Sequence, residues 1–149
     1  MTPEDKNLLL QDISARLPHG VIVHCIYESG EPCYGKLTPL DIEWFLNSKI
    51  KTIKPYLRPM SSMTEEEYEE LWRICDFRAT SDDYDYFDRY GIQIIQEINN
   101  NKGNHQKLSI DFLDYEALTY FLNSHHFDYR GLIEKGLALP ALKGMYKFE

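Results

Sequence analysis

The sequence has few cysteines, no long apolar run and few basic residues near its start. Its three cysteines are an odd number and form no C-x-x-C pair, so neither a disulfide framework nor a zinc ribbon is expected. No apolar stretch approaches the roughly 18 residues that a bilayer-spanning helix needs. Glu4 and Asp5 stand where a secretory signal would be basic. These absences predict a reduced, cytoplasmic protein without membrane association.

Basic residues are also scarce in the chain as a whole. Sixteen Lys and Arg stand against 24 Asp and Glu, which gives a net charge of −8. Such a chain is a poor candidate for direct nucleic-acid binding, because neutralising phosphates requires an excess of Lys and Arg. The hydrophobic share of 43% is enough for a packed core and excludes a disordered chain. A length of 149 residues predicts a single domain over 1–149.

Helix starts are the clearest local signals. Thr2 and Thr38 each precede a proline and predict capped helices, and Thr64 with Glu67 forms a capping box. In the first helix, the apolar spacing predicts a buried stripe of Leu10, Ile13 and Leu17. In the capped third helix, it predicts an apolar stripe of Tyr68, Leu71, Trp72 and Cys75. A further long helix is expected over residues 111–124.

Residues 21–27 and 33–37 are rich in β-formers and flank a Ser-Gly turn signal, which predicts a hairpin. We expect Glu28 to lie opposite Glu31. In that register Cys25 and Cys33 point to opposite faces of the sheet, because side chains alternate along a strand. A disulfide or a shared metal between these two cysteines is then excluded.

Two further segments are assigned from their prolines and glycines. Residues 48–62 hold four bases and no acid, and Pro55 and Pro59 predict a non-helical connection. Asp128 is expected to cap a short helix that Gly136 ends. Residues 91–99 fit a helix or a third strand equally well. The sequence therefore predicts an α+β fold in which one β-hairpin, with or without a third strand, packs against four or five helices.

The segment 63–90 carries most of the charge. It holds ten acids against three bases, and tyrosines interleave its later part. Two interpretations stay open: a solvated helix face, and a surface that binds a protein with a basic surface. A stronger form of the second is a nucleic-acid mimic that blocks a DNA-binding enzyme. The residues expected to contact the partner are Glu66, Glu69, Glu70, Asp82, Asp83, Asp85, Tyr84 and Tyr86.

A second candidate site lies in residues 125–130. Arg130 can bind a carboxylate or phosphate through two parallel hydrogen bonds, whereas the structural alternative pairs it with a core acid such as Asp128 or Glu134. The functional alternative is a small enzyme or ligand-binding domain. Its cleft would be lined by His126, Asp128, Tyr129 and Arg130.

No catalytic or cofactor motif accompanies these candidates. The sequence lacks G-x-S-x-G and H-E-x-x-H. The stretch 30–37 approaches a P-loop, but Leu37 stands where Mg²⁺ needs a Ser or Thr. We therefore assign no catalytic residue, no metal site and no cofactor.

Three blocks carry a resemblance to a known family: EDKNLLLQDISARLPHGVIV, KPYLRPMSSMTEEE and LNSHHFDYRGLIEKGLAL. Together they resemble a family of small uncharacterised proteins encoded in the genomes, phages and mobile elements of gut Bacteroidales. The resemblance implies a bacterial intracellular setting and an accessory role in a phage or mobile element. It brings no activity, ligand or catalytic residue with it.

Overall fold

The computed structural model describes residues 1–75 and 115–146, with side chains for 1–71 and 116–146. The chain divides into two compact units, Met1–Arg58 with Asn123–Glu149 and Pro59–Leu122. The single domain over 1–149 stays a prediction. Among the described residues, every helix is too short or too polar to cross a membrane.

The first unit is built on a four-stranded mixed sheet. Strands β1 (Ile22–Tyr27) and β2 (Pro32–Lys36) form a hairpin, and β3 (Ile50–Leu57) pairs with the other side of β1. Strand β4 (Leu139–Pro140) pairs parallel with β3, so the order is β2-β1-β3-β4. This confirms the α+β class. The sequence predicted two or three strands, and this number is too low, because the described sheet has four.

Two helices of this unit begin where the sequence predicts. In α1 (Pro3–Arg16), the Thr2 hydroxyl accepts a hydrogen bond from the Asp5 backbone N–H at 3.1 Å. Helix α2 (Pro39–Leu46) starts with a reciprocal capping box between Thr38 and Asp41. The signals were readable because a cap and its partners lie within four residues of each other.

The buried side of α1 differs from the predicted stripe. Ile13 is fully buried, but Leu10 and Leu17 are only partly buried. Beside Ile13, the helix buries Leu9, Asp12 and Arg16. The core of this unit consists of Leu9, Ile13, Val21, Val23, Cys25, Leu37, Phe45, Ile50, Ile53, Leu57, Leu132, Leu137 and Ala138.

Residues 50–57 form a strand at the inside of the sheet, where the sequence predicted a non-helical connection without assigning a strand. Ile53, Pro55 and Leu57 are buried and alternate with half-buried residues. Pro55 lies opposite Val23, and β4 pairs only with the two residues after it. A proline is tolerated here because no β4 partner needs its missing N–H.

The hairpin register is one residue away from the predicted one. Tyr27 pairs with Glu31 across a three-residue loop, and Cys25 lies directly opposite Cys33. Gly30 adopts a φ of 91°, which allows the longer loop. Residues directly opposite each other share one face of a sheet, so the predicted separation of the two cysteines is wrong.

The second unit holds the described parts of two helices. Helix α3 (Glu65–Cys75) carries the predicted capping box, and α4 (Tyr115–Ser124) belongs to this unit as far as Leu122. Tyr68 and Leu71 are buried as expected. The predictions for residues 76–114, including 91–99 and the start of the last helix, lie outside the described residues.

The segment after Asp128 forms consecutive turns instead of the expected short helix. Gly131 has a φ of 72°, and this left-handed conformation interrupts any helical path. The expected ending is present: the N–H of Gly136 donates to the Ile133 carbonyl, and that of Leu137 donates to Leu132. This pair of bonds is the Schellman pattern that closes helices and turns.

Candidate functional site

Helix α3 presents a row of carboxylates to solvent. Its side chains Glu65, Glu66, Glu69 and Glu70 are all exposed, while Tyr68 and Leu71 face the interior. On a helix, residues three and four apart are neighbours, so the four carboxylates form one continuous surface. We call these four residues the glutamate face.

A fifth glutamate of this helix has a structural role. The Thr64 N–H donates to Glu67 Oε1 at 3.0 Å, and the Glu67 N–H donates to Thr64 Oγ1 at 3.1 Å. Glu67 is only 4% exposed. The capping box therefore fixes the helix start and the direction in which the remaining glutamates point.

The predicted partner-binding residues are described only in part. Glu66, Glu69 and Glu70 belong to the glutamate face, together with Glu65, which was not among the predicted contacts. The other five predicted contacts lie outside the described residues: Asp82, Asp83, Asp85, Tyr84 and Tyr86.

One of the C-terminal candidates, Arg130, contacts an acid near the other end of the chain, Asp12. Asp12 accepts hydrogen bonds from Arg16 Nε at 2.9 Å and from Arg16 Nη2 at 3.1 Å. It also accepts one from Arg130 Nη1 at 2.8 Å. Arg130 thus pairs with a core acid, as the structural alternative required, but the acid is Asp12 and not Asp128 or Glu134.

We call Asp12, Arg16 and Arg130 the ion cluster, and two further hydrogen bonds lie beside it. Arg16 Nη2 donates to the Phe127 carbonyl at 2.5 Å, and the Tyr129 hydroxyl donates to Asn123 Oδ1 at 2.6 Å. Both guanidinium groups lie over the Tyr129 ring, that of Arg130 at 4.5 Å from its centroid. Burial raises the pKa of Tyr129, so this hydroxyl remains protonated and keeps donating.

Asp128 holds the turn that follows it. Its two carboxylate oxygens accept from the backbone N–H groups of Leu132 at 2.8 Å and of Ile133 at 2.9 Å. Burial raises the pKa of Asp128, while these two hydrogen bonds act in the opposite direction. The residue is a backbone cap, although its partners lie four and five residues later and not on a helix.

His126 is buried in a strained backbone conformation. It has a φ of 60°, is 2% exposed and stacks on the Tyr146 ring with centroids 3.9 Å apart. Burial, reinforced by the charge of Arg16, lowers the pKa of His126 to about 3. The imidazole is therefore neutral at physiological pH.

The two cavities described in the first unit lie elsewhere. One, of about 430 Å³, is lined in part by Lys6, Phe45 and Lys51, and the other, of about 290 Å³, in part by Lys54 and Lys135. Neither is lined by the four predicted residues of the C-terminal block. Within the described part of the chain, no cluster of three or more His, Cys, Asp or Glu side chains could hold a metal ion.

Sequence reasoning missed the central role of Asp12 and Arg16. Both are fully buried, whereas charged residues of a helix usually face solvent. Their spacing carried the signal, since Leu9, Asp12, Ile13 and Arg16 lie at i, i+3, i+4 and i+7, on one face of a helix. The position of Arg130 gave no such signal, because 118 residues separate it from Asp12.

Comparison of the chain with protein-family models, with curated proteins and with solved structures gave no match. The resemblance to the Bacteroidales family therefore stays a prediction.

Proposed function

We propose that this protein is a small cytoplasmic accessory protein that binds a protein with a basic surface. Its contact surface is the acidic, Tyr-rich segment 63–90, of which the glutamate face of α3 is the described part. The observation that carries the proposal is the exposure of four glutamates side by side on one anchored helix.

The anchoring supports a recognition role because it holds the charges in one arrangement. The capping box of Thr64 and Glu67 fixes the first turn, and the buried Tyr68 and Leu71 fix the rotation of the helix. Charges on an anchored helix lose little conformational freedom on binding, which favours affinity.

The charge pattern is unfavourable for α3 on its own. Glu65 with Glu69 and Glu66 with Glu70 are like-charged pairs at i, i+4, and such pairs destabilise a helix by roughly 0.2–0.5 kcal/mol each. Glutamates in the first turn interact favourably with the helix dipole, which offsets part of this destabilisation. A basic partner would remove the remaining repulsion and would be steered toward the surface by its charge.

The C-terminal block supports an enzyme or ligand-binding function less well. Arg130, Tyr129 and Asp128 each bond to a named group of the same unit, and His126 is buried and neutral. These interactions stabilise the fold. None of the four side chains lines either of the two described cavities. We therefore favour the glutamate face as the functional surface.

Affinity capture with matched charge reversals tests this proposal. The test variant is Glu66→Lys with Glu69→Lys, and the control is Glu4→Lys with Glu43→Lys. Both pairs change the net charge equally, both sites are exposed, and Glu4, like Glu66, lies in the first turn of its helix. Each tagged chain is presented to a gut Bacteroidales lysate at low and at high salt, and the retained proteins are identified by mass spectrometry.

We expect one protein with a basic surface to be retained by the wild type and by the control, and lost from the test variant and in high salt. A further variant with Asp82→Lys and Asp85→Lys would show whether the contact continues beyond α3. Identical retention by all four chains would overturn the proposal.

A further inference from the structure

The hairpin of β1 and β2 places two cysteines directly opposite each other. Cys25 and Cys33 are register partners, and both are free thiols. On either side of them along the ladder, the Tyr27 N–H donates to the Glu31 carbonyl, and the Leu37 N–H donates to Val21. Hydrogen-bonded pairs recur every second residue, so Cys25 and Cys33 are such a pair as well.

This register meets the Cα-separation condition for a disulfide, and rotation of the exposed Cys33 side chain is needed to bring the two sulfur atoms together. In a hydrogen-bonded antiparallel pair the Cα atoms are about 5.5 Å apart, within the range of roughly 4.4–6.8 Å that disulfides span. We propose that Cys25 and Cys33 are a redox-active thiol pair, which a small-molecule disulfide converts into a disulfide bond across β1 and β2.

The two thiols differ in a way that sets the order of the reaction. Cys33 is exposed on the edge strand, whereas Cys25 is 2% exposed. Burial, with smaller contributions from Asp41 and Cys33, raises the pKa of Cys25 to about 12. The thiolate is the attacking species in thiol–disulfide exchange, so Cys33 reacts first and Cys25 second.

The exchange balances without any other reagent. The Cys33 thiolate attacks one sulfur of the small disulfide, which breaks the S–S bond, forms a mixed disulfide and releases one small thiol. The Cys25 sulfur, after losing its proton to solvent, attacks Cys33 and displaces the second small thiol. The two cysteines are oxidised by two electrons in total, and the small disulfide is reduced to two thiols.

Oxidation of the two cysteines is also expected to affect helix α2, through the contacts of Tyr27. The Tyr27 hydroxyl hydrogen-bonds to the Cys33 side chain, and this contact is the largest of the effects that raise the pKa of Tyr27 to about 12. The Tyr27 ring packs edge-to-face on Trp44 of α2, with centroids 6.1 Å apart. Converting the Cys33 thiol into a disulfide changes its contact with Tyr27, so we expect the packing of Trp44 to differ between the reduced and the oxidised hairpin.

Oxidised glutathione is the probe for the test. The folded wild type, Cys33→Ser and Cys25→Ala are incubated with it at mildly alkaline pH, alkylated, and digested by a protease that cleaves after glutamate. Glu28 lies between the two cysteines and is followed by Ser29, so cleavage after Glu28 leaves two peptides that only a disulfide holds together.

We expect the wild type to give linked peptides containing Cys25 and Cys33, and reduced glutathione to separate them again. Cys25→Ala should stop at a mixed disulfide on Cys33, and Cys33→Ser should leave Cys25 unmodified. A wild type that keeps a stable mixed disulfide, or that links Cys33 to Cys75 or to a second chain, would overturn the proposal.

A second measurement separates the effect of the fold from mere proximity in sequence. The equilibrium between the Cys25–Cys33 disulfide and glutathione is measured in buffer and in urea. We expect the folded chain to favour the disulfide at least about tenfold more strongly, because the register already holds the two cysteines opposite each other. Equal equilibria in the two solvents would contradict a role for the hairpin.

Discussion

The C-terminal block and helix α3 use their polar side chains in opposite ways. In the C-terminal block, Arg130 and Asp128 are bonded to other groups of the same unit and largely removed from water. On α3, Glu67 forms part of the capping box, and four other glutamates are exposed to solvent. The difference teaches that a conspicuous sequence motif can be bound up in contacts within its own fold, while an ordinary run of charges remains exposed to solvent.

The largest effect on stability is expected from removing Asp12, the acid that both Arg16 and Arg130 contact. We expect Asp12→Ala to lower the free energy of unfolding by about 3–5 kcal/mol, because Arg16 would be left buried without a counter-charge. Urea denaturation measures this loss. Asp5→Ala, a half-buried acid on the same helix, is the control and should cost far less. A loss below about 1 kcal/mol for Asp12→Ala would show that the cluster contributes little.

The pH dependence of stability tests the burial of His126. Its pKa is lowered from 6.5 to about 3 in the folded chain, so unfolding takes up a proton between these values. Above pH 6.5, His126 is neutral in both the folded and the unfolded chain and does not lower the free energy of unfolding. As the pH falls from 6.5 toward 3, protonation of His126 in the unfolded chain lowers the free energy of unfolding by about 1.4 kcal/mol per pH unit.

We expect His126→Asn to reduce that slope, since asparagine tolerates the positive φ but does not titrate. Unfolding free energies of the variant and of His125→Asn are compared with those of the wild type across this pH range. The control should keep the wild-type slope. An unchanged slope in His126→Asn would place the proton uptake on another group.

A smaller effect is expected from Asp128. Replacing it by alanine removes the acceptor of two backbone N–H groups, and we expect a loss of about 1–3 kcal/mol. Glu134→Ala, an exposed acid of the same turn, should stay within about 0.5 kcal/mol of the wild type. Equal losses in the two variants would mean that the observed bonds do not hold the turn.

The smallest effect on stability should come from the glutamate face. Glu66→Gln with Glu69→Gln removes two exposed charges, and we expect the free energy of unfolding to change by at most about 0.5 kcal/mol per site. Because like-charged pairs are relieved, a slight stabilisation is the expected sign. A loss of several kcal/mol would assign these glutamates to the fold.

The sequence predicted well what depends on a few neighbouring residues. Thr2, Thr38 and the Thr64–Glu67 box begin helices as expected, because each cap contacts groups within four residues. The exposure of Glu66 and Glu69 followed from the same local periodicity.

Contacts between distant segments could not be predicted in this way. The position of β3 inside the sheet depends on its pairing with Val23 and not on Pro55 alone. The hairpin register changed by one residue through the loop at Gly30, and this reversed the relation of Cys25 and Cys33. The partner of Arg130 lies at the opposite end of the sequence, and local spacing contains no information about it.

The most direct test of the contrast between the two regions is one capture experiment, normalised to the amount of folded chain. It compares the wild type with Glu66→Lys/Glu69→Lys and with Asp128→Ala. We expect the glutamate variant to lose the basic partner while remaining folded, and Asp128→Ala to retain the partner in proportion to its folded fraction. Loss of the partner from folded Asp128→Ala, with retention by the glutamate variant, would contradict our assignment of function to α3.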